Sequence, residues 1–450
     1  MPVSLDEFEG NATLPARAEV VVIGGGVIGV MTALTLAERG VPVAVVEKGR
    51  IAGEQSSRNW GWCRRAGRDP SEIPLALEAL RQWEGMDARL AAPTGFRREG
   101  VLYLHETPER TAAHEAWLEH ARPWQIEARI LTPDEVAAMV PQTSRRWAGG
   151  LHTPGDGRAE PSMAVPAMAA AARRAGAAIV TGCAVRGLDL VGGRVAGVFT
   201  ERGRIACGAV VLAAGAWSRL FLGNHGVDFP QLKLRASVLR TAPMEGLPEV
   251  AVGCADFAFR RRLDGGYTVA HRGASVAEVV PDSVRLMADF LPALRKGWGE
   301  IRLGVSERFG QEWRTPRRWR LDGPSPFEAD EARVLDPAPA ESILAAARRN
   351  VARDFPAFAA MRVVASWAGF MDATPDMVPA IGPVASLPGL TLASGFSGHG
   401  FGIGPGAGRL AAELATGATP CVDPAPFRPD RFRRTARSIA AGAAALPRAA

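Results

Sequence analysis

Lysine is almost missing from this 450-residue chain: Lys48, Lys233 and Lys296 are the only three, so nearly all the positive charge behind the formal +6 is arginine. Tyrosine is scarcer still, with Tyr103 and Tyr267 alone. The five cysteines (Cys63, Cys183, Cys207, Cys254 and Cys421) form no CxxC and no metal-like spacing. Their scatter argues against a zinc site and a disulfide framework, and predicts no metal and a cytoplasmic chain. Arginine clusters such as Arg260–Arg262 and Arg317–Arg318 are not interleaved with aromatics, so no nucleic-acid platform is expected. Residues 1–10 are acidic and lack a signal-peptide layout. The apolar run from Val20 to Ala37 could pass for a membrane span, but its glycines sit where a phosphate turn needs them. With 47% apolar and 22% charged residues the composition is that of a globular enzyme, and the length suits two domains.

What is present begins at Glu19. An apolar strand, Val20 to Ile23, opens through Gly24-x-Gly26-x-x-Gly29 into a helical stretch, and a second apolar strand, Val41 to Val46, ends in Glu47. Strand, glycine turn, helix, strand and terminal acid together are a dinucleotide-binding unit. Gly24 serves the tight turn, Gly26 lets the backbone approach a pyrophosphate, Gly29 lets the helix pack on the strand, and Glu47 accepts from a ribose diol. Val27, Ile28 and Lys48 flank these positions.

Two later segments return to the same unit. Gly176–Gly182 and Gly193–Phe199 read as strands that lead to the buried strand and small-residue turn of residues 206–218. Gly389–Gly402 then repeats strand and glycine turn before a helix-like stretch at Gly404–Leu414. Such distant returns favour FAD over NAD, and the N-terminus of the last helix is suited to the pyrimidine edge of a flavin.

On these residues the chain resembles the D-amino acid oxidase superfamily of FAD enzymes, which includes glycine oxidase, sarcosine oxidase, D-amino acid dehydrogenase and γ-glutamylputrescine oxidase. The matching motifs are Gly24–Gly29 with Glu47, Ser56-Ser-Arg-Asn-Trp-Gly61, Leu212-Ala-Ala-Gly-Ala-Trp-Ser218, Trp367 to Asp376 with Pro379 to Gly382, and Gly395-Phe-Ser-Gly-His-Gly400. The resemblance implies an α/β fold: a Rossmann-type, glutathione-reductase-like FAD domain and an α+β substrate domain on a mixed or antiparallel sheet. The FAD domain is expected to be discontinuous over 15–90, 150–230 and 361–425, the substrate domain to occupy 91–149 and 231–360, and 426–450 to form an Arg/Ala-rich tail suited to a membrane surface or a partner subunit.

The resemblance also implies oxidation of a C–N bond by hydride transfer to flavin N5, giving an imine that hydrolyses, with oxygen, a quinone or a protein as acceptor. Cofactor contacts are expected from Gly24, Gly26, Val27, Ile28, Gly29, Glu47 and Lys48. Ser56, Ser57, Arg58, Asn59, Trp60 and Gly61 follow, then Val185, Ala213, Ala214, Gly215, Trp217 and Gly369. The last set is Gly395, Gly398, His399, Gly400, Phe401 and Gly402. FAD is expected to be non-covalent, because the histidine that some relatives carry near residues 56–62 is missing and no cysteine lies between Cys254 and Cys421.

Around the substrate, Trp60, Trp62, Tyr267, His271, Met371 and His399 are the expected catalytic-face residues. Period-2 alternation puts Tyr267 and His271 on one side of a strand. Lys233 is the lysine placed to assist oxygen. Asp69-Pro70-x-Glu72 reads as a capped helix start. Amino-acid oxidases of the glycine oxidase type carry a carboxylate-binding arginine where this chain has Met371. Two readings stay open: Arg64, Arg65, Arg260 or Arg302 holds a carboxylate, or the substrate is a small-molecule amine without one. A further reading makes the chain a flavin-containing subunit or assembly factor without amine turnover of its own.

Overall fold

The computed structural model describes residues 4–296 and 301–432. Strand Val20–Ile23 is flanked in parallel by Val43–Val46 and Ala209–Leu212, pairing Val20 with Val43 and with Ala209. The full order of this six-stranded sheet is Ala380–Pro383, Leu390–Ser394, Ala209–Leu212, Val20–Ile23, Val43–Val46, Ala178–Val180. Its central strands are buried on both faces, which is why they read as unbroken apolar runs rather than alternating ones. Five of the six run parallel, and Ala380–Pro383 pairs antiparallel at the edge. Gly193–Phe199 of the sequence reading lies instead in a small antiparallel sheet formed by Val185–Val191, Arg194–Thr200 and Gly203–Ala206.

The helix Val27–Glu38 is buried along almost its whole length between that sheet and two other helices, Pro161–Arg174 and Gly400–Thr416. Glycine makes this possible. A Cβ on Gly404 would lie 2.7 Å from Val27 Cγ2, and one on Gly408 would lie 2.5 Å from Met31 Cβ. The last helix therefore begins at Gly400, four residues before the helix-like stretch legible in the sequence, and carries Pro405 in its second turn.

A second, ten-stranded mixed sheet stands beside the first. Its longest pairing joins Leu232–Thr241 antiparallel to Val363–Ala373, with Leu234 opposite Met371 and Val238 opposite Trp367. The strand Tyr267–Ala270 lies on the other side of Leu232–Thr241, with Val238 opposite Ala270. The far face is closed by the helix Glu341–Asp354 and an aromatic core of Phe259, Tyr267, Phe355 and Phe358. Val363–Ala373, which the sequence reading assigned to the cofactor domain, thus hydrogen-bonds within the second sheet and brings Gly369 to Asp372 to the junction.

The cysteines are free thiols. Of the expected tail, Phe427 is buried in the core and Arg431 pairs with Asp376 at 2.8 Å, while residues 433–450 lie outside the described residues. No described helix is long and apolar enough to cross a membrane.

Candidate flavin and substrate cavity

A cavity of about 1200 Å³ runs between the two sheets from the first glycine turn to Tyr103. It exceeds the usual few hundred to about 1000 Å³ of a single small-ligand pocket, as a dinucleotide plus a substrate requires. At one end Gly24 adopts φ +113°, and a Cβ there would lie 2.4 Å from the Ala213 carbonyl oxygen. Gly26 is the N-cap of a helix with no side-chain cap and no acid in its first turn. The backbone donors of Gly26, Val27 and Ile28 are thus left for an anion, apart from the Val27 N–H, which donates to Ser56 Oγ at 2.9 Å.

Glu47 accepts from the Gly25 and Gly49 N–H groups, each at 2.7 Å, which fixes its carboxylate at the end of its strand with lone pairs to spare for a diol. Burial pushes its carboxyl above the ordinary value, against the pull of Lys48 and those two N–H groups. Lys48, Arg58, Asn59, Val185, Ala213, Ala214, Gly215 and Trp217 continue the wall. Glu54, which the sequence reading passed over, ties this end together. It accepts from Lys48 Nζ at 2.5 Å, from Trp217 Nε1 at 3.1 Å and from the Leu335 N–H at 3.2 Å, and so joins the segment at Leu335 to the cavity wall.

At the junction Gly369, Met371, Gly398, His399, Gly400, Phe401 and Gly402 all line the cavity. Gly398 has φ +84°, and a Cβ on it would lie 2.4 Å from Met371 Sδ. Asp372 holds the glycine turn in place: its Oδ2 accepts from the Gly395 N–H at 2.7 Å and from Ser394 Oγ at 3.2 Å, and burial pushes its carboxyl up to about 6. His399 meets Glu72, with Nε2 to Oε1 at 2.6 Å. Burial holds the imidazole below its ordinary value, while His399, Arg68 and Arg64 outweigh burial to hold Glu72 below its own. Glu72 was expected to serve a helix start. Asp69 does cap that start, accepting from the Ser71 N–H at 2.9 Å, but Glu72 turns into the cavity.

At the far end Trp60, Trp62 and Tyr103 form an aromatic wall, with Trp60 to Trp62 at 5.7 Å and Trp62 to Tyr103 at 5.9 Å between ring centroids. Four arginines (Arg64, Arg68, Arg110 and Arg272) share this end with His271. The Arg272 guanidinium lies 4.4 Å and that of Arg64 5.6 Å from the Tyr103 ring centroid. Neither these two nor Arg68 and Arg110 has a carboxylate partner within 4.0 Å among the described residues. Trp62 Nε1, Tyr103 Oη and His271 Nδ1 are buried atoms with no hydrogen-bond partner among the described residues. Polar atoms left unpaired in one wall mark a surface shaped for a polar occupant.

Several expectations need correction. Tyr267 is off the cavity: it lies in the aromatic core on the other face, and its hydroxyl donates to the Leu247 or Pro248 carbonyl at 3.3 Å. The strand ends at Ala270, so alternation no longer governs His271, which does line the cavity. Gly29, Ser57 and Gly395 are also set back. Gly29 is a packing glycine, whose Cβ would lie 2.0 Å from the Gly24 carbonyl oxygen. Ser57 Oγ donates to the Ala52 carbonyl at 2.6 Å, and Gly395 supports its turn through Asp372. Lys233 pairs with Glu312 at 3.2 Å, off the wall. Arg65 pairs with Asp156 at 3.0 Å, Arg260 is buried against Glu160, and Arg302 is exposed, so of the proposed carboxylate clamps only Arg64 reaches the cavity. Arg68 and Arg272 were not singled out, and only their arginine identity in otherwise loop-like text could have pointed to them. Away from the cavity, Glu106, Cys254 and Asp256 gather within 4.8 Å, but the Cys254 thiol donates to Asp256 and Asp256 also pairs with Arg353.

Residues 19–414 match the family model described as FAD dependent oxidoreductase. The chain belongs to this family. Its cofactor is therefore FAD, which the uncapped helix, the glycine turn and Glu47 fit, and it is an oxidoreductase acting on amines or amino acids. L-amino acid deaminase from Proteus myxofaciens, solved in complex with anthranilate, superposes with a TM-score of 0.90 at 32% identity and covers 96% of each chain. Glycine oxidase of Pseudomonas aeruginosa is 28% identical over 91% of this chain and 98% of its own length. The 4-methylaminobutanoate oxidase (formaldehyde-forming) of Paenarthrobacter nicotinovorans is 27% identical over 93% of this chain but only 46% of its own length.

Proposed function

We propose that this family member oxidises the C–N bond of an amino acid rather than of an amine without a carboxylate. The observation that supports the reading is the set of arginines around Tyr103, of which Arg64, Arg68 and Arg272 have no acidic partner within 4.0 Å among the described residues. A guanidinium pairs with a carboxylate through two parallel hydrogen bonds, so this wall suits an anionic substrate and makes a clamp at Met371 unnecessary. Bound non-covalently, FAD supplies the hydride acceptor. The protein's part is to hold the carboxylate at one end and the carbon beside nitrogen at the junction near Met371 and Gly398, with Trp60 and Trp62 excluding water. His399 is held at the junction by the contact between its Nε2 and Glu72. The imine hydrolyses after it forms. The anthranilate in the Proteus myxofaciens structure is itself an amino-bearing carboxylate, which agrees with this reading.

The test is anaerobic bleaching of the flavin by D- and L-amino acids, N-methyl amino acids and the matching decarboxylated amines. Amino acids should bleach it and the amines should not. Equal bleaching by an amine would overturn the carboxylate requirement.

A further inference from the structure

Resting on that reading, we infer that Arg64 and Arg68 form a second anion subsite, and that the substrate is an amino acid bearing an additional acidic group on its side chain. Arg68 carries the argument. It is 5% exposed and lines the cavity, yet it has no ion pair among the described residues, and its one side-chain hydrogen bond is a long one, from Nε to the Arg64 carbonyl at 3.5 Å. A buried cation without a partner is strongly unfavourable, and chains keep one only where something else meets it.

The acids near this loop favour the Arg68 charge from a distance, but none of them within the described residues pairs with it directly, because their hydrogen bonds go to other groups. Glu72 holds His399, Asp69 takes the Ser71 N–H and hydroxyl, and Asp156 takes Arg65 together with the Arg65 and Ala66 N–H groups. Arg64 adds like charge instead of relief. Burial and Arg64 bring the Arg68 guanidinium down to about 9, against the opposing pull of Glu72, Tyr103 and Asp156.

One carboxylate does not account for the whole wall. Arg272 comes from the turn after Tyr267–Ala270, whereas Arg64 and Arg68 come from the loop after the short strand Trp62–Cys63. Both groups converge on Tyr103, so an occupant can place one carboxylate on Arg272 and a second acidic group on the Arg64 and Arg68 pair. The unpartnered Tyr103 Oη and Trp62 Nε1 supply neutral hydrogen-bonding groups in the same wall. An amino-dicarboxylic acid has this distribution of charge, and its side-chain amide has the shape without the charge.

Two measurements on the flavin-loaded protein test the subsite. In the first, flavin reduction by both enantiomers of aspartate, glutamate and 2-aminoadipate is compared with that by asparagine and glutamine. The best dicarboxylate should exceed its amide by at least about tenfold in kcat/KM, and in Arg68→Gln or Arg64→Gln the acid-to-amide ratio measured on the same variant should fall to about one. Amides that equal or surpass the acids overturn the inference and leave the proposed function standing. The second needs no turnover: glutarate and butyrate are titrated against the flavin absorbance. Glutarate should bind at least about tenfold more tightly, with the advantage lost in Arg68→Gln. Equal binding of the two overturns the subsite even if no amino acid reduces the flavin, an outcome that would sink the proposed function separately.

Discussion

Arg260 grips Glu160 through two hydrogen bonds, Nη1 to Oε1 at 2.6 Å and Nη2 to Oε2 at 2.9 Å, and its remaining Nε donates to the carbonyl of Trp60 at 2.5 Å. Both side chains are almost wholly buried. An arginine that the sequence offered as a substrate clamp is thus the fastening between the second sheet and the tryptophan wall. Gly61 makes room for it, since a Cβ there would lie 2.8 Å from Arg260 Nη2.

Breaking that pair should cost stability steeply. Glu160→Gln leaves a buried guanidinium without its counter-charge, and a loss of about 3 to 5 kcal/mol is expected in urea unfolding at pH 7. Burial alone would raise the Glu160 carboxyl, but Arg260, Arg262 and the Leu263 N–H outweigh it and hold it at about 2, below its ordinary 4.5. A carboxyl depressed on folding contributes stability that is complete above the unfolded value and lost as pH falls through the folded one. The difference between wild type and Glu160→Gln should therefore shrink from pH 4.5 towards pH 2, by on the order of 3 kcal/mol. A pH-independent difference would show that packing, not charge, fastens the sheet.

Gly29→Ala should abolish flavin binding. Its Cβ would lie 2.0 Å from the Gly24 carbonyl oxygen, so the helix must move off the strand and take the phosphate-facing N–H groups with it. Purification as a colourless protein, with a melting temperature lowered relative to wild-type apoprotein, is the expected outcome. A yellow variant with unchanged melting would contradict the close packing.

Glu54→Gln should speed loss of the cofactor. The carboxylate holds Lys48, Trp217 and the Leu335 N–H at once, so neutralising it loosens two residues of the cavity wall, Lys48 and Trp217. An FAD dissociation rate raised by about tenfold or more, with reduction by substrate little altered, is expected from losing charge-assisted bonds. An unchanged rate would mean that Glu54 and its partners do not hold the cofactor in.

Tyr103→Phe separates a structural hydroxyl from a ligand-facing one. Tyr103 is buried, its ring stacks 5.5 Å from His114, and its Oη has no partner among the described residues. Deleting the hydroxyl should change stability by less than about 0.5 kcal/mol, while substrate KM rises several-fold. A large fall in melting temperature would reveal an internal role for the hydroxyl.

The cofactor end was legible because its signal is local. Gly24, Gly26 and Gly29 lie within six residues, and Glu47 closes the next strand, so spacing alone encodes the turn. The substrate end is built from partners far apart in the chain. Glu72 and His399 meet across 327 positions, and Arg260 and Glu160 across 100. No periodicity records which arginine will find an acid and which will not, so Arg260 looked free and Arg68 went unnoticed. Tyr267 was misplaced for a different reason: alternation holds only within a strand, and this one ends a residue before His271.

The sheet that carries the first glycine turn takes its outer strands from Ala380–Pro383 and Leu390–Ser394, and its packing helix from Gly400–Thr416. During synthesis, the cofactor-binding sequence at residues 20–47 leaves the ribosome first but has no completed wall until some 350 further residues have followed. Contacts of such long sequence separation form slowly, and the exposed apolar strands must wait in the meantime. Acquisition of the flavin is thus tied to synthesis of the returning segment, and a truncation before Ala380 removes two strands and the packing helix of the cofactor site together.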